Sequence, residues 1–269
     1  MALKITEETV RAILKPRPEI SHKGTFGTLQ LFCGSKNMTG APYLAASGAL
    51  RCGAGLVYIS AKGRLKRILQ SKLSEPVFCK MKISSRATAL LCGCGSAKNA
   101  KIAKKILLQS MPSVIDADAI TYLSKHKTLF QKKRCKTVLT PHEAEMSRLT
   151  GKDIPFISSN RELCACEAAK EFDSVVVLKG HNTVIAAPSG EIYVNTTGNS
   201  GLAKGGSGDV LAGMIGSFLA QGYSPLDAAV VSVFLHGKAG DILAEKISLH
   251  GLLPSEIPLA AAELLAEFE

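Results

Sequence analysis

The chain has 269 residues, 46% of them hydrophobic and 20% charged, and a formal net charge of +11. This is a soluble globular composition, long enough for one large α/β domain or two small ones. It excludes a membrane span, since no run reaches about eighteen apolar residues, and the mixed, charged start Met1-Ala-Leu-Lys-Ile-Thr-Glu-Glu excludes a secretory signal. A cytoplasmic location is therefore expected. The eight cysteines are then buried thiols rather than a disulfide framework. Cys92/Cys94 and Cys164/Cys166 have one-residue spacing, whereas structural zinc ligands usually stand about two to four residues apart, so no metal ligands are assigned. Residues 60–136 hold 18 Lys/Arg against three acids, Glu75, Asp116 and Asp118. The surface spacing of Lys98, Lys101 and Lys105 and the lack of interleaved aromatics predict a solvated face and no nucleic-acid partner.

In chain order, residues 1–22 predict a short helix and then a segment broken by Lys15-Pro-Arg-Pro. Leu29–Cys33 reads as a strand ending in Gly34-Ser35. A helix of small residues, Ala41–Arg51, follows, with Pro42 in its first turn. Its small face predicts close packing or room for a flat ligand. Gly53-Ala-Gly55 ends it, and Leu56–Ile59 is the next strand, which makes a βαβ unit with parallel strands. Gly63–Ser71 is a basic helix. Ala87–Leu91 is a strand leading into Gly93-Cys-Gly95, and Ala97–Gln109 predicts one amphipathic helix. Ser113–Asp116 and Thr137–Leu139 are strands, and Pro141-His-Glu opens a helix to about Leu149. Glu162–Glu171 is helical, and Ser174–Leu178 is a strand buried on both faces. Thr183–Ala187 and Glu191–Val194 form a hairpin across Pro188-Ser-Gly190. A glycine loop and two apolar helices, from Val210 to about Lys246, follow. The pattern predicts α/β class: a single domain over 1–269, core about 23–250, with a doubly wound, mostly parallel sheet flanked by helices and a hairpin at one edge.

In such sheets ligands sit beyond the carboxyl ends of the strands. Gly34-Ser35, Gly93–Gly95, Asp116, His142, Lys179-Gly180 and Asp209 all fall at such ends, which predicts one composite site. Its centre is Asn195–Asp209, with five glycines and one carboxylate. Gly205, Gly206, Ser207 and Gly208 precede an apolar helix whose free N–H groups favour an anion. Asp209 beside a phosphate cradle suits a base that takes a proton from a substrate hydroxyl; its alternative is a helix cap. Asp116 and Asp118 either face one way to hold a metal–phosphate or substrate hydroxyl, or cap the helix that follows. His142, near a helix start, suits ligand recognition as a neutral imidazole or is a structural first-turn histidine. Lys179 is placed to meet a phosphate, and the Lys179-Gly180-His181-Asn182-Thr183 backbone to line a nucleotide.

Gly205–Asp209 resembles the anion-hole signature of the ribokinase-like superfamily. The string Gly198-Asn-Ser-Gly-Leu-Ala-Lys-Gly-Gly-Ser-Gly-Asp209, with Thr140-Pro-His142, resembles the ADP/ATP-dependent NAD(P)H-hydrate dehydratases more closely. Lys23–Gly27, Gly34-Ser35, Gly40-Ala41, Ala49–Gly55, Gly93–Gly95, Asp116-Ala-Asp118, Lys179-Gly180 with Thr183, and His236–Asp241 follow the family's order over about residues 23–250. The resemblance implies a substrate of hydrated NADH or NADPH (NAD(P)HX), bound by Ala41, Gly93, Gly95, His142 and Asp209. It implies ADP or ATP as co-substrate on Lys179–Thr183 and the Gly205–Gly208 cradle, Mg²⁺ as cofactor, and Asp209 as catalytic residue, with Asn199, Asp116 and Asp118 as further candidates. Ala144 stands where Gly is usual, Cys92 where Pro is common, and Lys204 where Thr is usual; Lys204 adds charge beside the phosphate loop and bears on nucleotide preference. The often-fused epimerase domain is expected to be a separate partner protein. The small, apolar outer helices predict a homo-oligomer by analogy of fold. The rival readings are a ribokinase-like small-molecule kinase of hydroxymethylpyrimidine or thiazole type, and a nucleotide-binding module without catalysis.

Overall fold

The structure, a computed structural model, describes residues 2–269, so Met1 of the expected domain lies outside it. Ten strands form one sheet in the order β1-β10-β9-β8-β7-β6-β5-β2-β3-β4. They are β1 (Leu3–Lys4), β2 (Thr28–Phe32), β3 (Leu56–Ser60), β4 (Val77–Cys79), β5 (Ala89–Cys92), β6 (Ser113–Ile115), β7 (Thr137–Leu139), β8 (Val175–Leu178), β9 (Val184–Ala186) and β10 (Ile192–Val194). Only β9 runs against the rest. The expected mostly parallel sheet is present, and the hairpin lies one strand in from the edge, because β1 adds itself beyond β10. Neither β1 nor β4 was predicted: two or three residues are too few to show a period of two.

The side-chain alternation divides the core. Leu29, Leu31, Leu91, Val114, Val138 and Val177 face one helical layer. Phe32, Leu90, Ile115, Leu139, Val176 and Leu178 face the other. The first layer holds α1 (Glu7–Ile13), α2 (Gly40–Arg51), α3 (Gly63–Gln70), α9 (Ser207–Ala220), α10 (Pro225–Lys246) and α11 (Ile257–Leu265). The second holds α4 (Ala103–Leu107), α5 (Ala117–Ser124), α6 (Glu143–Thr150), α7 (Ile154–Ser159) and α8 (Arg161–Glu171). The small face of α2 serves close packing: a Cβ on Gly213 of α9 would stand 2.0 Å from the Ala45 carbonyl oxygen. Gln30 is the one fully buried amide in β2. It is satisfied by donating to Ser60 Oγ and the Lys82 carbonyl, both at 2.8 Å, and by accepting from the Ser84 N–H at 2.8 Å. It thereby ties the loop after β4 to the sheet.

The predicted helix Ala97–Gln109 is not continuous. Residues Ala97–Ile102 wind as a 3₁₀ helix, and only Ala103–Leu107 is α-helical. Ala97 has a left-handed φ of 47°, and four lysines crowd the segment, so the first turns have no opposite charge at i+3 or i+4 to support a regular helix. α7 was also unpredicted, although Asp153 caps it by accepting the Phe156 N–H at 2.8 Å and Pro155 lies in its first turn. α11, likewise unpredicted, follows the same rule with Pro258.

Successive strands run outward from β2 to β4, then return to the other side of β2 and run from β5 to β8. The crevice beyond the carboxyl ends of β2 and β5 is therefore the switch point of the sheet. There the Gly34 N–H donates to the Cys94 carbonyl at 2.8 Å. Among the described residues no helix is long and apolar enough to cross a membrane.

Candidate active site

A cavity of about 870 Å³ opens at the carboxyl end of the sheet. The Asn195–Asp209 loop forms one wall, and side chains on α10 hold it there. Asp241 accepts the Gly198 N–H at 2.8 Å and the Asn199 amide at 2.9 Å. Buried Asn195 donates to Thr197 Oγ1 at 2.9 Å. A Cβ on Gly237 would meet Thr197 Oγ1 at 2.3 Å, so only glycine admits the loop this close. His236 Nε2 donates to the Ser207 carbonyl at 3.0 Å, and burial pushes its pKa down to about 4. The His236–Asp241 motif is thus a scaffold for the loop.

α9 begins at Ser207, three residues before the predicted Val210, so Ser207, Gly208 and Asp209 occupy its first turn. Gly206 precedes it with φ 106°, and no side chain caps it. The Ser207 N–H donates to the Lys204 carbonyl at 3.2 Å, which leaves the Gly208 and Asp209 N–H groups for a ligand in the cavity that Gly206–Asp209 line. Asp209 is not a cap. It is half-buried, and its pKa is pushed up to about 6 by burial and then by the Asp116 charge, with Lys179 pulling the other way.

Asp116, at the end of β6, is 2% exposed. Its Oδ1 accepts from Lys179 Nζ at 2.8 Å and from Thr140 Oγ1 at 2.7 Å, and it makes no cap bond to α5. Asp118 does not share its direction: its Oδ2 accepts the Ala97 N–H at 2.7 Å. Lys179 also lies 3.9 Å from Glu145 Oε2. Burial works against the Lys179 charge, but Asp116 and Glu145 hold its pKa above the ordinary value. Burial raises the Glu145 carboxyl. The structural reading of His142 holds, and its side chain is also turned to the cavity. Its Nδ1 accepts the Ala144 and Glu145 N–H groups, so it caps α6, yet its side chain is 52% exposed and lines the cavity.

The cavity unites Asp116, His142, Lys179, Gly180, His181, Asn182, Thr183, Asn199, Gly206, Ser207, Gly208 and Asp209. Gly205 is exposed just outside it, and Asp118 is turned to Ala97. Ala41, Gly93 and Gly95 are buried and do not line it; a Cβ on Gly95 would stand 2.9 Å from Ala41 Cβ. Lys204 lines the cavity, and its Nζ donates to the His250 carbonyl at 2.6 Å and to the Leu252 carbonyl. Sequence reasoning missed Glu145, Cys94 and the anchoring role of Asn195. Glu145 had a signal, since it stands three residues after the cap His142 as in a capping box. Cys94 had none, because its meaning depends on β5 lying beside β6.

The sequence profile of the NAD(P)H-hydrate dehydratase family matches residues 29–261. The chain belongs to this family. It is 40% identical to the ADP-dependent (S)-NAD(P)H-hydrate dehydratase of Neisseria meningitidis serogroup B, over 93% of this chain and 88% of that protein. A crystal structure of the Bacillus subtilis ADP/ATP-dependent NAD(P)H-hydrate dehydratase, co-crystallised with ATP/Mg²⁺, matches with a TM-score of 0.90 at 34% identity, covering 100% of this chain and 99% of that one. A bifunctional NAD(P)H-hydrate repair enzyme of Thermofilum pendens is 34% identical over 95% of this chain, which spans 54% of that longer protein. In this ribokinase-like dehydratase fold, the glycine–Asp string shares its cavity with Asp116 from the end of β6 and Lys179 from the end of β8.

Proposed function

We propose that residues 1–269 act as one domain that dehydrates the S-form of NAD(P)HX to NAD(P)H, driven by ADP or ATP. The observation that carries this reading is Asp209: a half-buried carboxylate with pKa about 6, in the first turn of an uncapped helix, in a chain of this family. Hydroxide is a poor leaving group, and phosphate is a good one. Asp209 takes the proton from the hydrate hydroxyl as that oxygen attacks the terminal phosphorus of the nucleotide. A new O–P bond forms and the donor's terminal P–O bond breaks. The first-turn N–H groups of α9 and the Gly206–Gly208 cradle hold the charge of the transferring phosphoryl group. The ring nitrogen then pushes out phosphate, and loss of a neighbouring C–H proton restores the double bond. His142, which lines the cavity, is assigned to the hydrate with Asp209. Lys179–Thr183 is assigned to the nucleotide, and Ala41, Gly93 and Gly95 are assigned to the substrate by the resemblance to the family.

The Cys94, Asp116 and Asp209 ligand atoms lie within 4.8 Å of one another, but they do not make a magnesium cage. The thiol is held protonated, and Asp116 is already bonded to Lys179 and Thr140. Mg²⁺ takes oxygen ligands and usually travels on nucleotide phosphates, so it is assigned to the nucleotide and to no side chain. A separate epimerase that supplies the S-form is the expected functional partner. Self-association is inferred from Ile247, Leu249, Leu253 and Leu259, each at least 45% exposed within residues 247–259; light scattering tests it.

The deciding experiment mixes hydrated NADH, the protein and Mg²⁺ with ADP, ATP or no nucleotide, and follows the returning dihydronicotinamide absorbance. Nucleotide-dependent recovery is expected. No recovery with either nucleotide overturns the reading in favour of a ribokinase-like kinase that releases a stable phosphate ester.

A further inference from the structure

Arg161 opens α8 and does not line the cavity, yet it is bonded to the Lys179–Thr183 turn that does. Its Nη2 donates to the Leu178 carbonyl at 2.8 Å and to the Lys179 carbonyl at 3.2 Å. Its Nη1 donates to Glu143 Oε1 at 2.5 Å, and Glu143 Oε2 accepts from Ser158 Oγ at 2.9 Å. The planar guanidinium is thereby fixed between the first turn of α6 and the end of β8. It also lies against Gly180, where a Cβ would stand 3.0 Å from Nη2. The described chain has no cis peptide bond, so the Gly180 N–H points opposite to the Lys179 carbonyl. With that carbonyl on Arg161, the N–H is turned away from the guanidinium. Among the described residues it has no hydrogen-bond partner, and Gly180 is exposed and lines the cavity.

We propose that Arg161 is a positioning residue for the nucleotide: by holding the Lys179 carbonyl, it sets the Gly180 N–H as a hydrogen-bond donor to an acceptor atom of ADP or ATP in the cavity. Glycine at this position has φ 147° and no Cβ to oppose rotation of the peptide, so the orientation has to be held from outside. The guanidinium does this with one nitrogen shared by two successive carbonyls. Its charge is met by Glu143, so its effect passes through the backbone and not through attraction of phosphate. The inference rests on the assignment of Lys179–Thr183 to the nucleotide.

Arg161→Met keeps an unbranched side chain and removes the charge and every donor. Calorimetric titration with ADP, well below the melting temperature of the variant, is expected to show binding about tenfold weaker than in the wild type, the size of one lost hydrogen bond. KM for the hydrate is expected to stay at the wild-type value. Unchanged ADP affinity overturns the proposal, and so does an equal loss for the hydrate, which marks a general loosening of the cavity. The wild type supplies a second measurement should the variant not fold. Gly180 is one of four glycines that follow a lysine, so carbonyl-labelled lysine with nitrogen-15 glycine isolates its amide among four, and its loss in Gly180→Ala assigns it. Its proton resonance is expected to move downfield when ADP is added; a stationary resonance overturns the proposal. If ADP affinity falls in Arg161→Met while the wild type restores no dihydronicotinamide, the dehydratase reading fails and the role of Arg161 stands. If the wild type binds no ADP, the nucleotide assignment of Lys179–Thr183 fails and this proposal falls with it.

Discussion

Burial and the Asp116 charge raise Asp209 from 3.8 to about 6, and burial lowers His236 from 6.5 to about 4. The two act on stability with opposite signs. A raised carboxyl stabilises the fold below its unfolded pKa, and that contribution is lost as pH rises through about 6. Asp209→Asn is therefore expected to be more stable than the wild type at pH 7, by up to roughly 3 kcal/mol, with the gap closing toward pH 4. Urea unfolding at the two pH values measures this. The same variant is expected to lose turnover while keeping nucleotide affinity, because an amide keeps the shape but cannot accept the proton; near-normal turnover would remove Asp209 as the base. A lowered imidazole contributes stability that is complete above its unfolded pKa and is lost as pH falls through about 4. His236→Gln, which keeps a donor for the Ser207 carbonyl, is expected to flatten the decline of melting temperature between pH 6.5 and 4. Asp209 was legible as the odd carboxylate in a glycine loop. Its partners were not, because Cys94, Asp116 and Lys179 lie far apart in the chain and meet only where β5, β6 and β8 end.

At the scale of the element, α2 and α9 pack backbone against backbone. Gly48 and Gly213 let the two helices approach until a Cβ at either would press on backbone, 2.6 Å from the Val210 oxygen and 2.0 Å from the Ala45 oxygen. Gly213→Ala is expected to cost about 1–3 kcal/mol or more, since backbone cannot move aside as a side chain can. Gly40→Ala, whose Cβ meets nothing within 4 Å, is the control and is expected to be near neutral; chemical denaturation compares them. The buried strands and α8 were legible from runs of apolar residues. The start of α9 was misplaced because glycine and serine carry no helical period; what makes Ser207–Asp209 helical is the packing of the turns that follow. The break in Ala97–Gln109 was hidden for the opposite reason, since its apolar period suits a regular helix while the left-handed Ala97 and the lysine repulsion act against one.

For the whole molecule, the basic third is the largest feature that the site leaves unused. Of its 18 cations only Lys133 forms an ion pair among the described residues, with Asp173, and most are exposed. A solvated face predicts that DNA retention is weak at physiological salt and that no steep salt slope appears in a binding titration; a slope matching several phosphates would assign these lysines to a nucleic acid. The alternation of strands and helices, the parallel sheet and the glycine–Asp string needed only the sequence, because period, turn chemistry and helix-start rules act over a few residues. The tertiary structure decided which of those polar groups share a cavity. Asp116 was one of several polar strand ends until the order of strands set it against Lys179 and Thr140. Asp118, two residues away, was carried to Ala97 instead. Pairings of this kind depend on which strands become neighbours, and that is settled by the burial of two helical layers on one sheet, which no local pattern encodes.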